Sequence, residues 1–182
     1  MKTIIVALLM VFATSPALAV RFDSRAPKGY IGFSKGQDAT DLPSTATVSN
    51  TSSAFSAFAG YSFNDYLAGE LVYTNFGSQE LVLNSTLKSN AGSLILVGSI
   101  PLGIYVSLFG KVGYAYTTTE LFLGNVTSTT AGKNDATYGA GIQFNVVRQR
   151  IGIRLGYDNY KILLGTDTYN SNYMSLSLVF KF

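Results

Sequence analysis

Glu70, Lys111, Arg154 and Asp158 are the charged residues whose surroundings make them candidates for chemistry, because each stands inside a segment that otherwise alternates large apolar with small residues. Two carboxylates with an ammonium and a guanidinium could move protons, gate an ion path or neutralise one another in an enclosed space. A charge taken out of water has to be paired, since an unpaired buried charge is strongly destabilising. Glu70 follows the short connection Asn64-Asp65 by a few residues, and Arg154 follows Arg148-Gln149-Arg150 in the same way. The two are therefore expected at similar height, facing each other across an enclosure. Lys111 and Asp158 lie further along their segments, and Lys181 is a further charge of this kind near the end of the chain. Much of the usual catalytic repertoire is missing. The sequence has no His and no Cys, which excludes a Ser–His–Asp triad, an imidazole base, a thiolate, a disulfide and a Cys/His zinc site. Asp38 and Asp41 share a segment with no base beside them. The expectation is a protein that is not an enzyme and carries no metal and no cofactor.

Positioning such charges requires an enclosure, and the composition says of what kind. The 182 residues are 47% hydrophobic and only 13% charged, about half the roughly 25% of a soluble domain. A net charge of +3 without any Lys/Arg run gives no reason to expect nucleic acid. The chain opens Met1-Lys2-Thr3, runs apolar from Ile4 to Phe12 and reaches Ala17-Leu18-Ala19. That is the pattern of a secretory signal peptide over residues 1–19, too short to span a bilayer. A short periplasmic segment, 20–27, is expected to precede a single domain over 28–182.

Within that domain the apolar period is two. Met174, Leu176, Leu178, Phe180 and Phe182 alternate with Ser175, Ser177, Val179 and Lys181. The same alternation predicts strands near 28–37, 53–63, 66–77, 104–118, 137–147 and 151–161. A further strand near 92–100 is apolar on both faces, which leaves its phase open. Short connections at Asn64-Asp65, Pro101-Leu102-Gly103 and Arg148-Gln149-Arg150 alternate with long polar ones at 38–52, 78–91, 119–136 and 162–172. Tight turns at one end and long loops at the other predict an all-β, eight-stranded antiparallel up-and-down transmembrane β-barrel.

The alternation also has to be oriented. The face opposite the large apolar residues carries Ala54, Ser56, Gly60, Ser62, Gly139, Gly141, Gln143 and Asn145. It lacks the Lys and Glu of a soluble surface. The large face is therefore expected to meet lipid, and the narrow lumen to take the small and polar side chains. Aromatic residues fall into two groups on the outward face. Tyr73, Tyr114, Tyr116, Tyr138 and Tyr157 lie toward the long-loop end, and Tyr61, Phe63, Phe144 and Phe180 toward the short-turn end. Two such girdles are expected at the two membrane–water interfaces.

The stretch from Ala59-Gly60-Tyr61-Ser62-Phe63-Asn64-Asp65-Tyr66-Leu67 to Ala68-Gly69-Glu70-Leu71-Val72-Tyr73-Thr74-Asn75-Phe76-Gly77 resembles a strand, turn and strand of the OmpA-like outer-membrane proteins. Val97-Gly98-Ser99-Ile100-Pro101-Leu102-Gly103 and Leu108-Phe109-Gly110-Lys111-Val112-Gly113-Tyr114-Ala115 resemble the same family further along. The layout is similar to the short stand-alone barrels of the OmpX kind. The resemblance implies an outer-membrane location and lipid as the surrounding partner. It implies recognition of the last strand and Phe182 by the barrel-assembly machinery. It also implies that inward acids and bases form a switchable lumenal plug, with Glu70 and Arg154 at matching positions. The family's fourth-strand base is Ser99 here, and Lys111 lies on the fifth strand. Larger members continue into a peptidoglycan-binding domain; this sequence stops at Phe182, so that tethering role is not expected. The function expected is a structural or surface-exposed role in interaction or adhesion, with any extracellular ligand at the long loops. The alternative is a narrow, low-conductance diffusion pore.

Overall fold

The computed structural model describes residues 28–40, 51–81, 85–123, 126–146, 150–164 and 167–182. The expected signal peptide over 1–19, the segment 20–27, most of the first long connection and most of the turn at Arg148-Gln149-Arg150 lie outside the described residues.

Eight strands form: β1 Gly29–Thr40, β2 Thr51–Ser62, β3 Leu67–Leu81, β4 Ser85–Pro101, β5 Val106–Leu123, β6 Val126–Val146, β7 Ile151–Leu164 and β8 Asp167–Lys181. Each pairs antiparallel with its neighbour, and β8 closes on β1. Closure gives every strand two partners, the arrangement a bilayer demands of backbone that has no water to bond.

The register fixes the geometry of the wall. Hydrogen-bonded partners run from Phe144 through Ile153, Leu178, Phe33, Ala57, Tyr73, Gly92 and Tyr116 to Asn134. The circuit returns to β6 ten residues from its start. With strands about 4.8 Å apart and a rise of about 3.3 Å per residue, that stagger tilts the strands by about 40°. One circuit then climbs about 25 Å, the height of the apolar band of an outer-membrane barrel.

The turn end is tightly made. Asn64 Oδ1 accepts the backbone N–H groups of Tyr66 and Leu67, each at 2.8 Å, and Phe63 N donates to Leu67 O at 2.9 Å. The β4–β5 turn places Gly103 at φ 135°, a value that favours glycine. Phe182 and Gly29 bond each other's backbone at this same end.

Three of the four long connections expected from the sequence are instead mostly strand. β3 and β4 pair out to Leu81↔Ser85, β5 and β6 to Leu123↔Val126, and β7 and β8 to Leu164↔Asp167. These segments read as loops because they do not alternate: short apolar runs such as Leu121-Phe122-Leu123 and Ile162-Leu163-Leu164 stand among long polar stretches. Beyond the bilayer a strand has water on both sides, and the apolar alternation that betrays it inside disappears.

Candidate functional site

The inward face of the wall is not a lining of small and polar groups, as the sequence suggested. It also carries Tyr30, Phe58, Val72, Phe76, Ile95, Val97, Phe109, Tyr160 and Tyr173. The small residues make room for the large ones. A β-carbon on Gly60 would run into the Tyr30 ring, and one on Gly141 into the Phe109 ring. The phase of β4, open in the sequence, is settled by this packing. Ala91, Ser93, Ile95 and Val97 point inward, and Leu94 and Leu96 point to lipid.

At the turn-side half of the lumen the charges come together. Arg154 Nη1 donates to Glu70 Oε1 at 2.7 Å, and Tyr30 Oη donates to the same oxygen at 2.8 Å. The other side of the guanidinium donates from Nε and Nη2 to Gln143 Oε1 at 3.1 and 3.0 Å. Gln143 passes its own amide on to Asn145 Oδ1, which also accepts from Lys181 Nζ at 2.9 Å. The guanidinium sits within aromatic reach of Phe109 at 4.8 Å, Phe58 at 5.1 Å and Tyr30 at 5.8 Å, a favourable environment for a weakly hydrated cation. Lys111 Nζ pairs with Asp158 Oδ2 at 3.1 Å and lies 5.4 Å from the Phe109 ring. Glu70, Lys111, Arg154 and Asp158 thus meet as two ion pairs, one above the other along the register. The contributions of Tyr30, Gln143 and Asn145 were not singled out from the sequence, although their place on the inward face was legible in their parity.

A second layer lies toward the hairpin end. Phe76 packs edge-on to Tyr160 at 5.1 Å and to Tyr173 at 6.4 Å, with Ala54, Ala91 and Ala115 around them. Hydroxyls line its lower side. Tyr173 Oη lies 3.1 Å from Ser34 Oγ, and Tyr160 Oη lies 3.5 Å from Thr74 Oγ1. Above them Ser171 Oγ donates to the buried Asp38 carboxylate. Across the top of β6 and β7, Asp135 accepts from Lys161 at 3.0 Å and pairs with Lys133 at 3.4 Å.

The outward face is as the parity predicts. Tyr61, Phe63, Phe144, Phe180 and Phe182 are exposed at the turn end, and Tyr73, Tyr114, Tyr116, Tyr138 and Tyr157 are exposed higher up. The tyrosines do not mark the ends of the strands, however. β5 continues seven residues past Tyr116 to Leu123, roughly 17 Å of additional reach at the tilt deduced above. One outward residue was missed in the sequence. Lys35 shares the parity of Ile31 and Phe33 and is exposed on the lipid-facing wall.

Comparisons with known proteins agree with this geometry. The profile of the outer membrane protein beta-barrel domain family matches residues 4–182. No curated protein matches the chain in sequence. Among solved structures the chain is similar to Neisserial surface protein A, with a TM-score of 0.68 and 16% identity over 85% of this chain and 97% of that one. It is similar to the N-terminal β-barrel domain of Pseudomonas aeruginosa OprF, with a TM-score of 0.59 and 13% identity over 86% of this chain and all (100%) of that one. It is also similar to Ail, the attachment invasion locus protein of Yersinia pestis, with a TM-score of 0.56 and 19% identity over 85% and 99% of the two chains.

Proposed function

Because this chain belongs to the outer membrane protein beta-barrel domain family and so resides in the outer membrane, we propose that it is a structural, surface-exposed barrel whose work is done by the strands that project beyond the bilayer. The observation that carries the proposal is the doubly filled lumen. The Arg154–Glu70 layer and the Phe76–Tyr160–Tyr173 layer lie one above the other. Eight strands enclose only enough space for side chains, and here large ones take it. What is left for function is a rigid wall and the hairpins above it, the part of such a scaffold where binding is usually placed. That two of the similar structures bear names for surface exposure and attachment supports the same reading. Under this reading the protein catalyses nothing. Lipid surrounds the wall, and the barrel-assembly machinery takes hold of the strand that ends Phe180-Lys181-Phe182.

The test is ion conductance of the refolded chain in a planar bilayer, with the heat-dependent gel shift of the same preparation as proof of folding. Folded and silent is the expected result. Folded with steady conductance would favour a narrow diffusion pore. One observation speaks for that second reading: Glu70 Oε2 is buried in the lumen without a hydrogen-bond partner among the described residues. A carboxylate held by one oxygen has a second one to offer to a moving cation.

A further inference from the structure

We propose that the outer wall at Lys35 is a binding site for the phosphorylated head group of an outer-leaflet lipid. The starting observation is a stretch of the upper belt that has no tyrosine. Tyr73 on β3, Tyr114 and Tyr116 on β5, Tyr138 on β6 and Tyr157 on β7 hold the interface on four of the eight strands, with Gly92 and Leu94 outward on β4 among them. Across β8, β1 and β2 no tyrosine takes that place. The outward residues there are Met174, Lys35 and Phe55, joined by Gln37 and Ser53 on the hairpin side. Among the described outward-facing residues between the two belts, Lys35 is the only charged one.

Lys35 has no reason to be there from the protein's side. Among the described residues no carboxylate or hydrogen-bond acceptor partners it. Its neighbours across the two ladders are Phe55 and Leu176. A lysine on the lipid face tends to be unfavourable unless its ammonium reaches water or an anion.

The wall around it has the shape of an amphiphile. A groove of about 470 Å³ is lined by Lys35, Gly36, Gln37, Ser52, Ser53 and Leu176. Phe33, two residues nearer the membrane interior on β1, stacks with Phe55, the ladder partner of Lys35, with centroids 6.4 Å apart and both half exposed. Toward the outside, Gln37 and Ser53 face each other across the β1–β2 ladder and are exposed. The outward face of β1 therefore reads Ile31, Phe33, Lys35, Gln37, passing from apolar to cationic to neutral polar. An acyl chain fits the lower part. A phosphate fits the upper part, bound by the ammonium as a point charge and by the amide and hydroxyl as neutral donors.

The experiment is native mass spectrometry of the refolded chain in a neutral detergent, titrated with bisphosphorylated lipid A. The same lipid after dephosphorylation and inorganic phosphate serve as the other two probes, and the gel shift controls for folding. The wild type is expected to retain one lipid A. Lys35→Gln should weaken that binding about tenfold, while Lys35→Arg should keep it. Dephosphorylated lipid should bind about as weakly as the Lys35→Gln variant binds lipid A, and millimolar inorganic phosphate should not displace the lipid. Equal binding by wild type and Lys35→Gln, or by lipid with and without phosphate, would overturn the proposal. Displacement by inorganic phosphate would overturn the assignment to a lipid. The variant Gln37→Leu/Ser53→Ala, which keeps the ammonium and removes both neutral donors, reads the same site if Lys35→Gln fails to refold.

Discussion

Arg154 and Glu70, 84 residues apart in sequence, meet at 2.7 Å across the lumen with their side chains 6% and 1% exposed. Removing either partner leaves the other buried and charged. Glu70→Ala and Arg154→Ala should each cost about 3–5 kcal/mol of folding stability. The double variant Glu70→Ala/Arg154→Ala should cost much less than the two single losses added together. Urea titrations in vesicles, read by the gel shift, measure all three. Strict additivity would mean that the two residues are not energetically coupled.

The two layers of the lumen should act in series. Arg154→Ala loosens the lower layer but leaves Phe76, Tyr160 and Tyr173 in place, so that variant should remain silent in a planar bilayer. Arg154→Ala combined with Tyr160→Ala should conduct steadily. If Arg154→Ala conducts alone, the upper layer is no barrier.

Gly77 sits at φ 74° in the irregular stretch of β3 between Asn75 and Ser78, and a β-carbon there would press on the Ser53 carbonyl. Alanine at this position should destabilise the barrel by about 1–3 kcal/mol, from the left-handed conformation and the crowding together. Gly92, with open space around it, is the control: Gly92→Ala should change stability by less than about 0.5 kcal/mol.

The paired segments beyond the tyrosines give a topological prediction. Amides of Thr117–Glu120, paired to both β4 and β6, should exchange slowly with solvent although they stand outside the bilayer. Protease added to intact cells should cut near the hairpin tips and spare these segments. Rapid exchange throughout 117–120 would return them to loops.

Much of the wall was legible because a bilayer enforces parity: Leu71 must face lipid and Glu70 must not, and the sequence alternates accordingly. The partners Arg154 and Glu70 could be matched because each lies just beyond a short turn. Two things were hidden. The outer ends of β5 and β6 have water on both faces, so Thr117-Thr118-Thr119 and Gly132-Lys133-Asn134 carry no alternation to read. Ile95 and Val97 are as apolar as their lipid-facing neighbours because they pack inside the lumen with Phe109, so β4 gave no contrast between its faces. Lys35 was missed although parity marks it, since it shares the side of Ile31 and Phe33.

The ladders are not equally long. Among the described residues, β2 and β3 pair only up to Phe55↔Asn75, and β6 and β7 only up to Tyr138↔Asn159, while the ladders between them run on to the hairpin ends. Above the membrane the backbone ladders therefore part into two blades, one of β3 to β6 and the other of β7, β8, β1 and β2, which side chains still join: Lys161 to Asp135 across one seam and the Ser52 hydroxyl to the Phe76 carbonyl across the other. Residues added or lost in pairs at a blade's tip change its reach without altering the circumference below. Each blade can thus drift in length and sequence under selection from outside the cell while the membrane-embedded ring keeps its ten-residue stagger.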